Sequence, residues 1–343
     1  MSQAGFFDFE ERCAQLNAKG HVLERLNSAI DWELFRPHLS QVRDRDRKDN
    51  SGRKPFDVVL MFKIMVLQSL YNLSDAKTEF EIRDRITFMQ FLNLGLGDAV
   101  PDEKTIWLFR EDLKRLSLNK PLFDRFDRFL NQQGYYAQKG SIVDASIVEA
   151  PKQRNTRDEN AQIKQGETPA SFVENPNRNR QKDIDARWVN KRGCNYYGYK
   201  NHVNADAKHK FIRQYEVTAA AVHDGQMLEA LLDPDNTNGE VYGDSAYCSE
   251  KNRRLLAELN YRDRIHRKGY RGHPLSDCQQ AANHQKSKTR VRVEHVFGRL
   301  DQLCVNPMVR TIGLIRAKVK ISLRNLVYNL DRYAMLRRRC GYT

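Results

Sequence analysis

Near Gly134 the apolar residues of this chain change their spacing, and that change limits the fold more than any other feature. Before it the spacing is helical. Residues 56–71 (FDVVLMFKIMVLQSLY) are apolar nearly all round and lack Gly and Pro after Pro55, which predicts a buried helix with Pro55 in its first turn. A second helix is expected from the N-cap Ser74 through Phe80 to Leu92, ended by residues 93–97. A third begins near Asp102 and Thr105, with Ile106, Phe109 and Leu113 at helical spacing and Trp107 read as core, and a fourth covers 123–133. After Gly134 come short β-rich runs at 140–148, 196–205, 211–219, 240–243 and, weakly, 262–266. Helices are expected at 226–232, 250–259 and, long and basic, 287–303. Strand, strand, strand, helix, strand, helix, strand, helix is an α/β order. The chain thus divides into a helical domain at 1–135 and an α/β domain at 136–343. Within the latter, residues 151–193 are so poor in apolar side chains that they are expected to be a mobile insertion without a core.

Charge narrows the partners. The net charge is +14, and residues 262–343 hold 19 Lys and Arg against 5 Asp and Glu, while the remainder has 39 of each. The whole excess sits in the last quarter, where a phosphate backbone is the natural partner; a basic surface serving solubility is the alternative. The longest apolar run, 58–64, is interrupted by Lys63 and is far shorter than the roughly 20 residues of a membrane span. Residues 1–11 are acidic and aromatic, unlike a secretory signal, so the expected location is the cytoplasm. Six cysteines (Cys13, Cys194, Cys248, Cys278, Cys304, Cys340) form no CxxC pair and are read as reduced thiols. Nine histidines supply no HExxH, so any metal is expected on oxygen ligands.

Three acids stand out. Asp144 lies inside the apolar strand SIVDASIV, on the face opposite Val143 and Ala145. A carboxylate there needs a basic partner, a turn to cap or a cation, because an unpaired buried charge costs several kcal/mol. Asp244 follows a strand directly, where α/β sheets open their ligand crevices, and an N-cap is the competing reading. Glu294 borders the stripe Val293, Val296, Phe297 and Leu300, one turn after Arg290; a surface ion pair is the alternative there. Together the three acids could hold two magnesium ions about 3.5–4 Å apart, the arrangement that activates an attacking oxygen and stabilises a departing one at phosphorus. The basic helix bearing Glu294, with Lys288, Arg292 and Arg299, would then lie against DNA.

These residues resemble a known family, the DDE transposases of bacterial insertion sequences, and within it the group named for insertion sequence five. The resemblance is carried by GRKPF at 52–56, VPDEKTIWLFR at 100–110, IVDAS at 142–146, YGYKNHV at 197–203 with Asp206, His223-Asp224, YGDSAY at 242–247 and RVEHVFG at 292–298. It implies a ribonuclease H-like catalytic domain, a mixed sheet flanked by helices, preceded by an all-helical domain that recognises DNA ends. It implies catalytic and metal-binding roles for Asp144, Asp244 and Glu294, with Mg²⁺ or substituting Mn²⁺, and an arginine, here Arg290, that contacts DNA or orients the glutamate. The implied partners are double-stranded DNA, as terminal inverted repeats and as target, and a second copy of the chain, acting at the nucleoid. Two positions depart from the related signature: Ser287 stands where a Tyr is usual and Asp301 where a basic residue is usual. Lys200 and His202 are candidates for DNA contact or for a solvated face. Asp224 is read as the N-cap of the helix that follows, and Arg337, Arg338 and Arg339 as a phosphate grip or a solvated terminus. Two other readings stay open: a nuclease of the same fold without joining activity, and a DNA-binding protein whose catalysis has decayed.

Overall fold

The computed structural model describes residues 8–18, 20–44, 54–303 and 308–339. They form two compact units.

The first unit is helical. Its centre is the helix Val58–Tyr71, capped by Asp57, whose carboxylate accepts from the amides of Val59 (2.8 Å) and Leu60 (3.1 Å), and closed by Asn72 in the left-handed region (φ 47°). The helix is buried on almost every side, as its uninterrupted apolar sequence requires. Phe62 packs against Phe35 (4.9 Å between ring centroids) and Trp32 (6.3 Å), and Trp32 against Phe91 (5.5 Å). The helix expected across 74–92 is two helices, Asp75–Asp84 and Ile86–Leu92, broken at Arg85, which is extended. Ile82 and Phe88 are both buried, yet six residues would set them roughly 120° apart on one straight helix. The break lets both face inward. Trp107, read as core, is 42% exposed, because the buried face of Glu103–Arg115 is Ile106, Phe109 and Leu113. The last helix, Leu314–Arg339, carries no expectation from the sequence, and from Ser322 onward it belongs to this unit rather than to the α/β unit. Tyr333 packs on Phe126 (6.0 Å) and Phe129 (5.4 Å), which explains the placement.

The second unit contains the sheet: β1 (Ser141–Glu149), β2 (Arg187–Lys191), β3 (Cys194–Asp206), β4 (Ile212–Ala219), β5 (Glu240–Gly243) and β6 (Arg262–Ile265). The order is β2-β3-β1-β5-β6, with β4 also on β3. β3 is antiparallel to β1, β2 and β4, whereas β5 runs parallel to both β1 and β6. This is the mixed sheet flanked by helices, with helices before it, that the sequence led us to expect. Register fixes the two faces. Asp144 lies opposite Val203, and Ala145 opposite His202, so Asp144 and His202 are on different faces. The His202 face is covered by a core of Val143, Leu228, Leu231, Val241, Tyr247, Leu256 and Ile265.

The segment 151–193 is folded, contrary to the expectation of a mobile insertion. It forms helices Arg157–Gln165, Ala170–Val173 and Pro176–Gln181 and then β2. A few apolar anchors suffice: Phe172 is fully buried and Ile163 nearly so. Polar contacts do the rest, since Asp183 accepts from the hydroxyl of Tyr199 (2.5 Å) and its carbonyl from that of Tyr197 (3.0 Å). Residues 226–232 form only a short turn and the helix Leu228–Leu231. The single helix expected at 287–303 is likewise two, Asp277–Arg290 and Arg292–Leu303. The first opens with a capping box of Ser276 and Gln279, and its polar sequence carries no apolar stripe by which to extend the expectation upstream. The break leaves Val291 half exposed and sends Val293 and Val296 into the core.

Among the described residues, no single helix is long and apolar enough to cross a membrane. Cys13, Cys194, Cys248 and Cys278 are free thiols; Cys304 and Cys340 lie outside the described residues, as do Gly52 and Arg53.

Candidate active site

Val143 pairs with Gly243 across the parallel β1–β5 ladder, so Asp144 and Asp244 are the next residues on adjoining strands, which run about 4.8 Å apart. Asp144 is held inside β1. Its Oδ1 accepts from the amide of Ala145 (2.8 Å) and its Oδ2 from Nη1 of Arg290 (2.8 Å). Burial pushes its pKa up to about 6, and the neighbouring charges of Asp244 and Glu294 push the same way, against the amide of Ala145 and the guanidinium of Arg290. Asp244 caps the short turn Ser245–Tyr247, accepting from the amide of Ala246 (2.9 Å). The capping and site readings of Asp244 are therefore compatible, because one oxygen caps. Glu294 stands in the first turn of Arg292–Leu303, largely exposed, with Nη2 of Arg290 at 3.7 Å. Arg290 thus touches both Asp144 and Glu294.

Among the described residues, no three His, Cys, Asp or Glu side chains converge tightly enough to hold an ion as they stand. The donor set nevertheless fits a hard divalent cation: all three candidates are carboxylates, and each of the other two raises the proton affinity of Asp144.

Other residues border the acids that the sequence reading did not single out. The amide of His266, just past β6, donates to the carbonyl of Gly243 (3.1 Å), and its Nε2 lies 3.3 Å from Oγ of Ser287. Burial and then the cations Arg290 and Lys286 lower the proton affinity of His266, against a raising effect of Asp244. Ser287, where the signature has a Tyr, is therefore packed beside the site. Lys286 donates to the carbonyl of Ile265 (2.8 Å). Lys286, Arg290 and Glu294 recur every fourth residue, a spacing that could have flagged Lys286. Asp301 is exposed.

Lys200 and His202 are corrected. The strand register puts them on the face away from Asp144, where His202 is fully buried and Lys200 nearly so. Nε2 of His202 lies 2.9 Å from Oγ1 of Thr218, and burial lowers its pKa to about 4. Lys200 donates to the carbonyl of Val222 (2.8 Å) and pairs with Asp224 (2.9 Å). Neither offers charge to a phosphate. His223, not Asp224, is the N-cap, accepting from the amide of Gly225 (3.2 Å). Buried Asn252 donates to the carbonyls of Gly225 and Tyr247, 2.9 Å each, and so ties this turn to the loop after Asp244. A Cβ at Gly225 would come within 2.6 Å of the carbonyl of Ala246, so only glycine permits that approach.

The other basic candidates are spread out. Lys288 is exposed, Arg292 donates to the carbonyl of Ala207 (2.8 Å), and Arg299 is half-buried. In the helical unit the guanidinium of Arg337 lies over the ring of Tyr333 (6.0 Å), and the side chain of Arg339 is outside the described residues.

Two aspartates at adjoining positions of parallel strands, one within β1 and one just past β5, with a glutamate from a following helix tied to the first through Arg290, outline the candidate site. Comparison with known proteins names the family. Residues 136–330 match the family described as transposase DDE domain, and residues 11–112 match the one described as transposase domain (DUF772). The chain belongs to the DDE transposases. As such it is an enzyme that acts on DNA and depends on divalent metal. Among solved structures, a cryo-EM structure of the piggyBac transposase synaptic complex with hairpin DNA aligns at 11% identity with a TM-score of 0.42, covering 91% of this chain and 76% of that one.

Proposed function

We propose that this transposase cleaves the ends of an insertion sequence of the group named for insertion sequence five and joins the freed 3′-hydroxyls to target DNA, using Asp144, Asp244 and Glu294. The observation that carries the reading is the convergence of these acids: Asp144 and Asp244 at equivalent positions of parallel strands, and Glu294 joined to Asp144 through Arg290. Two Mg²⁺ ions, or Mn²⁺ in their place, would supply an activated attacking oxygen and stabilisation of the departing one. Asp144, rigid within β1, and Asp244, fixed by its cap, hold one end of the site still. Glu294 sits on a separate helix after the break at Val291 and closes it from the other side. Arg290 offsets the repulsion among the acids. Exposed Lys288, with Arg292 and Arg299 on the same pair of helices, faces the DNA backbone, the helical domain at 1–135 recognises the element's ends, and two copies of the chain bring two ends together.

The test is cleavage and strand transfer on labelled element-end DNA with Mg²⁺ or Mn²⁺, comparing wild type with Glu294→Gln. Metal-dependent joined products, reduced about a thousandfold or more in the variant with end binding kept, are expected, since losing a ligand forfeits several kcal/mol of transition-state stabilisation. Cleavage with no joining even of pre-cut ends would make the protein a nuclease. Binding without chemistry in either protein would make it a decayed relic.

A further inference from the structure

Lys200 and Asp224 form an ion pair that the catalytic reading leaves without a role. Lys200 is nearly buried and stands on β3, on the sheet face turned from Asp144. Its ammonium lies 2.9 Å from Oδ1 of Asp224 and donates to the carbonyl of Val222 (2.8 Å). Two contacts from one side chain thus bind the turn 222–225 to a central strand. An ion pair withdrawn from water contributes little net stability, but it demands one geometry.

On its other side this turn meets the loop that follows Asp244. Gly225 approaches the carbonyl of Ala246 so closely that a Cβ would sit 2.6 Å from that oxygen. The amide of the same Ala246 donates to Oδ1 of Asp244 (2.9 Å). Asn252, 4% exposed, donates to the carbonyls of Gly225 and Tyr247 and so closes the two segments onto each other. Tyr247 is sunk in the core beside Val143 and Leu228, which anchors the loop from below. Ala246 is therefore backed by Gly225 while it grips Asp244. The two aspartates differ in their need for such backing. Asp144 lies within a ladder with β3 that continues to Glu149, whereas Asp244 is the first residue past the end of β5. A side chain at a strand end is only as fixed as the loop behind it.

We propose that the turn 222–225 is a strut for Asp244, and that Lys200, Asp224, Gly225 and Asn252 are positioning residues that set this carboxylate where a divalent cation can bind it. The proposal rests on the reading above that Asp244 is a metal ligand. The strut acts through Ala246 and touches neither the cation nor DNA. Removing a partner that orients a ligand weakens metal binding by about tenfold or more even though the ligand itself is kept.

The test titrates Mn²⁺ alone into the full-length protein, with the free ion read by electron paramagnetic resonance, for wild type, Lys200→Met, Asn252→Ala, the double variant and Asp244→Ala. Alanine at 252 keeps the backbone amide that Ser249 caps (3.1 Å), so the helix Glu250–Glu258 is spared. Each single variant should raise the Mn²⁺ concentration at half-saturation about tenfold. The double variant should lie within about twofold of the weaker single, because both residues act through one turn. Hydrogen exchange of the metal-free protein should quicken at 244–248 in both variants and stay as in wild type along β1. Wild-type Mn²⁺ binding in both variants overturns the strut, and so do losses that multiply in the double variant. Faster exchange along β1 as well, with a lowered melting temperature, would make the pair a support of the whole unit and equally overturn it. Asp244→Ala binding Mn²⁺ like wild type would instead bring down the reading of Asp244 as a ligand, and the role of the strut with it.

Discussion

The helical unit and the α/β unit bury polar groups on different terms. In the helical unit most answer one another, although Nε of Arg25 is buried without a hydrogen-bond partner. Gln68 donates to Asp75 (2.7 Å) and Thr78 (3.0 Å), Arg110 grips Asp75 with two bonds of 2.6 Å, and Arg25 pairs with buried Asp331 (2.8 Å). In the α/β unit several are left wanting. Nδ1 of His202, Oδ1 of Asn204 and the hydroxyl of Tyr247 are buried with no hydrogen-bond partner. Asp144, on the other face of the sheet from His202 and Asn204, carries a charge that burial and two neighbouring acids make costly. The first pattern is what stability alone produces. In the second, the costly group is the carboxylate of the candidate site, whereas the orphaned His202 and Asn204 lie on the opposite, core-covered face.

The sharpest break of that comparison would come from the aromatic core of the helical unit. Phe62 is fully buried between Phe35 and Trp32, so Phe62→Ala should cost about 3–5 kcal/mol in denaturant unfolding. A loss below about 1 kcal/mol would mean that this cluster is not the core of the unit.

Next comes a substitution of opposite sign. The folded protein holds the Asp144 proton more tightly than the unfolded chain does, about 6 against an ordinary 3.8. Raising the pH through that window removes stability, and the penalty is complete above about 6. Asp144→Asn keeps an acceptor for Arg290 and removes the charge. It should stabilise the metal-free protein by about 1–3 kcal/mol at neutral pH, with no gain below about pH 4, while abolishing cleavage. Thermal melting across pH checks this, and a destabilised variant at neutral pH would show that the Arg290 pair outweighs the burial of the charge.

The smallest effect probes the exception inside the helical unit. Lys63 is buried with its ammonium over the rings of Trp32 (5.5 Å) and Phe91 (4.8 Å), and burial lowers its pKa to about 8. Here the unfolded chain binds the proton better, so stability rises as pH goes from about 8 toward 10.5. Lys63→Met should flatten that rise and add about 1 kcal/mol near neutrality, the ring attraction offsetting part of the burial cost. An unchanged pH slope would mean that the ammonium reaches solvent.

Several features could be read from sequence because local pattern sets them. Ser74 and Asp102 cap helices as their positions suggest, whereas Pro55, expected in the first turn of its helix, precedes the cap Asp57; alternation along SIVDASIV correctly separated Asp144 from Val143 and Ala145. Others depended on contacts no local pattern encodes. Alternation alone could not say which face of β3 would meet Asp144, and the register turned Lys200 and His202 away from it. The insertion looked coreless because its anchors, Phe172 and Ile163, are few, and because the tyrosines that pin it lie beyond it in β3.

What the sequence determined by itself was most of the succession of helices and strands and the family, since periodicity and motif spacing are properties of the chain. Tertiary structure alone decided that Arg290 bridges Asp144 and Glu294 and that His266 and Ser287 flank the site. Those relations depend on strand register and on the angle between helices, which are fixed only when distant segments compete for the same buried surface.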